Sequence, residues 1–138
     1  GYGLLFDGRW NTVGHPVPSA ATSPSLCILE KLVHVEEPAL LPELAMVMYD
    51  IPDEMPVSHR TTDELPVEWR RHEAMTQRLG DEWLTGIDTA LLFVPSAIVP
   101  IADSPDCNVL INPRHSEATA IQIARIEPFD LDVRLFRE

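Results

Sequence analysis

Apolar residues along this chain come in short blocks punctuated by prolines, glycines and acidic turns, and their spacing changes from block to block. Around Leu4-Leu5-Phe6, four glycines (Gly1, Gly3, Gly8 and Gly14) predict a short strand or hairpin entering a glycine-controlled loop. Pro16-Val17-Pro18 reads as extended chain in an edge position, running into Ser19-Ala20-Ala21. A helix start follows, with Thr22 or Ser23 as N-cap and Pro24 at the first helical position. Leu26, Ile28, Leu29, Leu32 and Val33 then share one broad helical arc, the face expected to pack on a sheet, and Glu30 falls at its margin. Leu44 to Ile51, bounded by Pro42 and Pro52, has the length and composition of a largely buried strand.

From Pro52 to Pro66 the pattern is irregular. A helical region is predicted from about Val67 to Leu84, broken at Gly80, with Trp69 and Trp83 as core anchors and Arg70, Arg71 and Arg78 on the outer face. The second half reads as β structure. Ala90–Val94 is a continuous apolar run stopped by Pro95, Asn108–Asn112 ends in Asn-Pro, and Ala120–Ile126 and Leu131–Phe136 supply two more candidate strands. These elements make one α+β domain over residues 1–138, with a mixed β-sheet core and flanking helices.

Composition narrows the function classes. With 45% hydrophobic and 23% charged residues, the 138-residue chain can bury an ordinary core. Its formal net charge of -12 argues against direct binding of nucleic acid, which needs clustered Lys and Arg. No apolar run approaches the roughly 18 to 20 residues that span a bilayer, so the expectation is a cytoplasmic protein without a membrane partner. Cys27 and Cys107 lack CxxC spacing and read as packing thiols in a reducing compartment.

The chemistry-bearing residues are few. The sequence has no HExxH, P-loop or GxGxxG, its histidines have no paired metal spacing, and Ser96 lies in no GxSxG frame. A metal-free site is therefore expected. Gly8-Arg9-Trp10-Asn11 joins a planar fork of cationic donors, an aromatic face and an amide in a chain with few cations, which suits a polar anionic ligand. In the plainer reading, Arg9 pairs with one of many carboxylates and Trp10 fills core. Glu30 is either a partly desolvated carboxylate or a snorkelling surface residue. Ser96 stands just beyond a strand end, where a rigid scaffold often presents functional groups.

In order along the chain, Gly8-Arg9-Trp10-Asn11, Ser23-Pro24, Leu29-Glu30, Leu32-Val33-His34, Leu65-Pro66 with Trp69, and Gly80-Asp81 with Trp83-Leu84 resemble the RES domain. The resemblance continues through Val94-Pro95-Ser96-Ala97, Asn108 to His115, Phe129-Asp130 and Arg134-Leu135. That family is named for an arginine, a glutamate and a serine, matching Arg9, Glu30 and Ser96. The resemblance implies a toxin of a bacterial toxin-antitoxin pair, held inactive by a Xre-like antitoxin, consuming NAD, with a fold similar to ADP-ribosyltransferase toxins. Arg9 would grip an NAD phosphate or hold Glu30 ionised. Glu30 would stabilise the ribose cation formed as nicotinamide leaves. Ser96 and Asn112 would give the ligand neutral hydrogen bonds.

Two departures bear on this. Ser19 stands where family members commonly have a tyrosine; it lines the expected pocket without a stacking ring, a role that Trp10, Phe6 or Tyr2 would then take. The family's usual earlier segment, with its own arginine, is not within residues 1–138; either a trimmed sequence or a pocket lacking one phosphate contact is expected. The first expectation is ADP-ribosyl transfer to a protein acceptor. The alternatives are hydrolysis or phosphorolysis of NAD and, from a different class, a catalytically weakened antitoxin-binding module.

Overall fold

Two antiparallel strands, β5 (Leu91–Pro95) and β6 (Cys107–Ile111), form the spine of the sheet, paired from Leu91 opposite Ile111 to Pro95 opposite Cys107. The computed structural model describes residues 2–3, 18–33 and 44–136. The remaining elements are β1 (Tyr2–Gly3), β2 (Ser19–Ala21), α1 (Pro24–Leu32), β3 (Leu44–Asp50), β4 (Ser58–His59), α2 (Glu73–Gly86) and β7 (Gln122–Phe129), with short 3-10 turns between them. The seven strands form one sheet in the order β4-β5-β6-β2-β1-β3-β7. The β4–β5 pair is parallel and the others are antiparallel, so the fold is α+β with a mixed sheet.

Register assigns the side chains to two faces, because directly opposed residues share a face and neighbours alternate. Ser19, Ala21, Leu92, Val94, Asn108 and Leu110 point to one side. There Leu92, Val94 and Leu110 pack with Trp69, Trp83 and Leu84, while Ala21 packs with Leu26 and Cys27 of α1. Both helices therefore cover the same face. On the other side Ala20, Leu91 and Val109 meet Met55 and Ala90, joined by residues of the connections flanking β4 and preceding β7.

The helices depart from their predicted limits for local reasons. Trp69–Arg71 forms a separate 3-10 turn, and α2 then runs through Gly80 unbroken. A helical glycine costs about 1 kcal/mol relative to alanine, too little to break a helix whose Thr76, Trp83 and Leu84 are buried. Trp69 and Trp83 are both buried, as anticipated, and the Trp83 indole donates to Thr89 Oγ1 at 3.0 Å. Arg70, Arg71 and Arg78 are exposed.

Other elements differ from the sequence reading. Pro18 leads into β2, which lies between β6 and β1 and so is a central strand; the two residues before Pro18 lie outside the described set. Strand β3 forms where expected but is half-buried. Ser58–His59 adds a strand beside β5 within the segment read as irregular. Leu131–Phe136 is no strand: Asp132 accepts from the Arg134 amide at 2.9 Å and pairs with its guanidinium at 2.8 Å, closing a 3-10 turn over Val133–Leu135. Such local side-chain bonds compete directly with ladder formation. No helix among the described residues is long and apolar enough to cross a membrane.

Candidate active site

Helix α1 begins where Ser23 leaves extended backbone and its hydroxyl accepts the Leu26 amide at 3.2 Å, with Pro24 at the first helical position. That start fixes which face meets the sheet. The buried residues are Leu26, Cys27 and Glu30, whereas Leu29 is 41% and Val33 61% exposed. The apolar arc expected from the sequence is thus rotated toward solvent, and the carboxylate at its margin points inward. Polar partners on the sheet explain the choice.

Glu30 is 7% exposed. Ser96 Oγ donates to its Oε1 at 2.8 Å, and Asn108 Nδ2 donates to the same oxygen at 2.9 Å. Ser96 is fully buried just beyond β5. The Ile98 and Val99 amides donate to its Oγ at 3.1 and 3.3 Å. With two N–H groups filling its lone pairs, the hydroxyl's single hydrogen is directed to Glu30. Asn108 lies within the sheet, opposite Val94 on one side and Ala21 on the other. The residue just past β5 and one on the adjacent strand β6 thus hold one carboxylate oxygen of buried Glu30, and the charge-assisted bonds offset its desolvation.

The carboxylate also marks its neighbour. Burial, and secondarily the Glu30 charge, push the Cys27 thiol up to about 11. Cys27 therefore stays protonated near neutral pH and is poorly suited to nucleophilic attack. Burial, then the proximity of Cys27, also raises the Tyr49 hydroxyl above its ordinary range. Among the described residues no group of three or more His, Cys, Asp or Glu side chains is arranged to hold a metal ion.

The candidates named from sequence separate in space. Glu30 and Ser96 come together. Ser96 is committed to Glu30 and to two backbone amides rather than directed toward a ligand. Ser19 is buried on β2, on the sheet face that carries Asn108. Asn112 lies at the opposite end of β6 from the Ser96 end of the β5–β6 pair, on the order of 13 Å along the strand from Asn108. Its Nδ2 donates to the Leu84 carbonyl at 3.2 Å and its Oδ1 accepts the Arg114 amide at 3.0 Å. With both ends of that amide engaged within the protein, Asn112 ties α2 to β6 and is remote from the Glu30 cluster. Arg9 and Trp10 lie outside the described residues.

Asn108 was missed in the sequence reading, where it was only the first residue of a strand. A signal was present: asparagine is depleted in strands, and this one interrupts the inward-facing apolar series of β6.

The chain is 39% identical over 136 residues to Toxin Res of Pseudomonas putida, covering 97% of this chain and 89% of that protein. It is 36% identical over 135 residues to the Prs ADP-ribosylating toxin of Sphingobium sp., covering 95% and 81% respectively. Against Toxin Res of Photorhabdus laumondii the identity is 35% over 136 residues, covering 96% and 84%. Residues 1–132 match the RES domain, and the chain belongs to the RES-domain family of toxins.

Proposed function

We propose that this chain is an NAD-consuming toxin that breaks the nicotinamide-ribose bond and transfers ADP-ribose to a protein acceptor. The observation that carries this reading is the buried Glu30 carboxylate, held on one oxygen by Ser96 and Asn108. The name of the Sphingobium relative, an ADP-ribosylating toxin, supports the choice of transfer.

In the proposed reaction the bonding electron pair leaves with the nicotinamide nitrogen, and positive charge develops on the ribose. A fixed carboxylate in a site of low dielectric stabilises that charge without reorganising. The acceptor's nucleophile then bonds to the ribose carbon and releases its proton to solvent. Glu30 is the catalytic residue in this scheme, and Ser96 is a positioning residue that holds it. Arg9 would grip a phosphate of NAD, with Trp10 and Ser19 as further walls of the pocket. A Xre-like antitoxin would hold the toxin inactive, in keeping with the Toxin Res names of the relatives.

The test is nicotinamide release by purified protein given NAD, with and without Glu30→Ala. Loss of release in the variant is expected, and equal release from both proteins defeats the assignment. Labelled NAD with a cell lysate then reads the acceptor: a labelled protein band supports transfer, whereas free ADP-ribose or its phosphate assigns hydrolysis or phosphorolysis.

A further inference from the structure

The Asn108 carboxamide has a second end. The residue is 9% exposed, its Nδ2 is spent on Glu30, and its Oδ1 is buried with no hydrogen-bond partner among the described residues. The orientation of the amide follows from its neighbour: a carboxylate only accepts, so turning the amide over would set oxygen against oxygen. A buried carbonyl oxygen without a donor is costly in a protein interior. Native folds seldom keep one without a purpose. Asn112, four residues further along and just past the end of β6, makes the contrast, since both of its polar ends are satisfied.

The orphan oxygen is carried by the same amide that bonds the Glu30 carboxylate, so the two residues bring two acceptors together. Such a pair calls for a ligand that presents two adjacent donors. A ribose does so with its vicinal hydroxyls, one for the carboxylate and one for the amide oxygen. We infer that Asn108 is a specificity-determining residue whose Oδ1 accepts a hydrogen bond from a hydroxyl of the nicotinamide ribose, while its Nδ2 holds Glu30. This inference rests on the proposed NAD-cleaving activity. It separates Asn108 from Ser96: Ser96 acts only through Glu30, whereas Asn108 also touches the substrate.

The experiment compares NAD with analogues lacking the 2′- or the 3′-hydroxyl of the nicotinamide ribose, each assayed for nicotinamide release by the full chain and by Asn108→Leu and Asn108→Ser. Because each ratio of kcat/KM values is taken on one protein preparation, it is independent of how much of a variant folds. In the wild-type chain, loss of the matching hydroxyl should cost roughly 10- to 100-fold in kcat/KM, as expected when a buried acceptor loses its partner. In both variants that penalty should fall to within about threefold, while the penalty for the other hydroxyl persists. An unchanged pair of penalties in active variants overturns the role of Asn108 and leaves the NAD reading intact. A wild-type chain that neither binds NAD nor releases nicotinamide overturns both.

Discussion

Ser96 gives its only hydroxyl hydrogen to Glu30, a residue 66 positions earlier in the chain, and does so because two backbone amides occupy its acceptor side. The serine is thereby a fixed donor. Replacing Ser96 with alanine removes that donor and leaves the Ile98 and Val99 amides without an acceptor. The expected outcome is a loss of up to roughly 100-fold in nicotinamide release, the scale of a slightly misplaced catalytic group. Added to Glu30→Gln, the same change should lower release no further, because the two residues act as one unit. Additive losses would place Ser96 in direct contact with substrate.

Glu30→Gln isolates charge from shape. The amide oxygen can still accept from Ser96 and Asn108, so the melting temperature should stay close to that of the wild type. Nicotinamide release should fall by about 100- to 1000-fold, the size seen when one fixed electrostatic stabiliser of a transition state is lost. A variant that unfolds at ambient temperature, or one that retains full activity, would contradict this division of roles.

Alkaline pH should weaken the fold through Cys27. Its thiol is raised from 9.0 to about 11, so between those values the folded chain keeps a proton that the unfolded chain has released. Stability from this group is fully present below about pH 9 and declines as pH rises through 11. Urea midpoints measured across this range should fall with pH, and Cys27→Ala should flatten the decline. A slope identical in both proteins would assign the alkaline loss to other groups.

Helix α2 ends on Ile87, whose backbone is left-handed at φ 53 and whose side chain is 47% exposed. A β-branched residue is strained there, while glycine enters the conformation freely. Ile87→Gly should therefore raise stability by about 1 kcal/mol, the strain relieved exceeding the extra freedom glycine gains in the unfolded chain. Thermal melting reads the result, and a lowered midpoint would mean that the exposed isoleucine contributes packing worth more than the strain.

The parts of this molecule governed by neighbouring residues were legible in its sequence. Ser23-Pro24 announces the start of α1, Pro95 marks the end of β5, and the apolar run before it lies deep in the sheet. The rotation of α1 was not legible, because the helical arc of leucines and valines says nothing about polar partners on a strand far along the chain. Ser96 and Asn108 draw Glu30 inward and turn Leu29 and Val33 out. Family resemblance supplied Glu30 and Ser96 together with Arg9, which lies outside the described residues. It did not distinguish Asn108 on β6 from Asn112 just past its end, since only three-dimensional pairing separates the one that meets the carboxylate from the one that braces α2.

The separations within the Glu30 cluster also set a timetable. Its described side-chain partners lie 66 and 78 residues downstream, one just past β5 and one on β6, segments that leave the ribosome well after α1. During synthesis the helix can be complete while its carboxylate still faces water, with neither serine nor asparagine to orient it. A cell making this protein therefore meets no preorganised site until β6 has been translated and paired, and a product terminated before Asn108 is expected to be harmless.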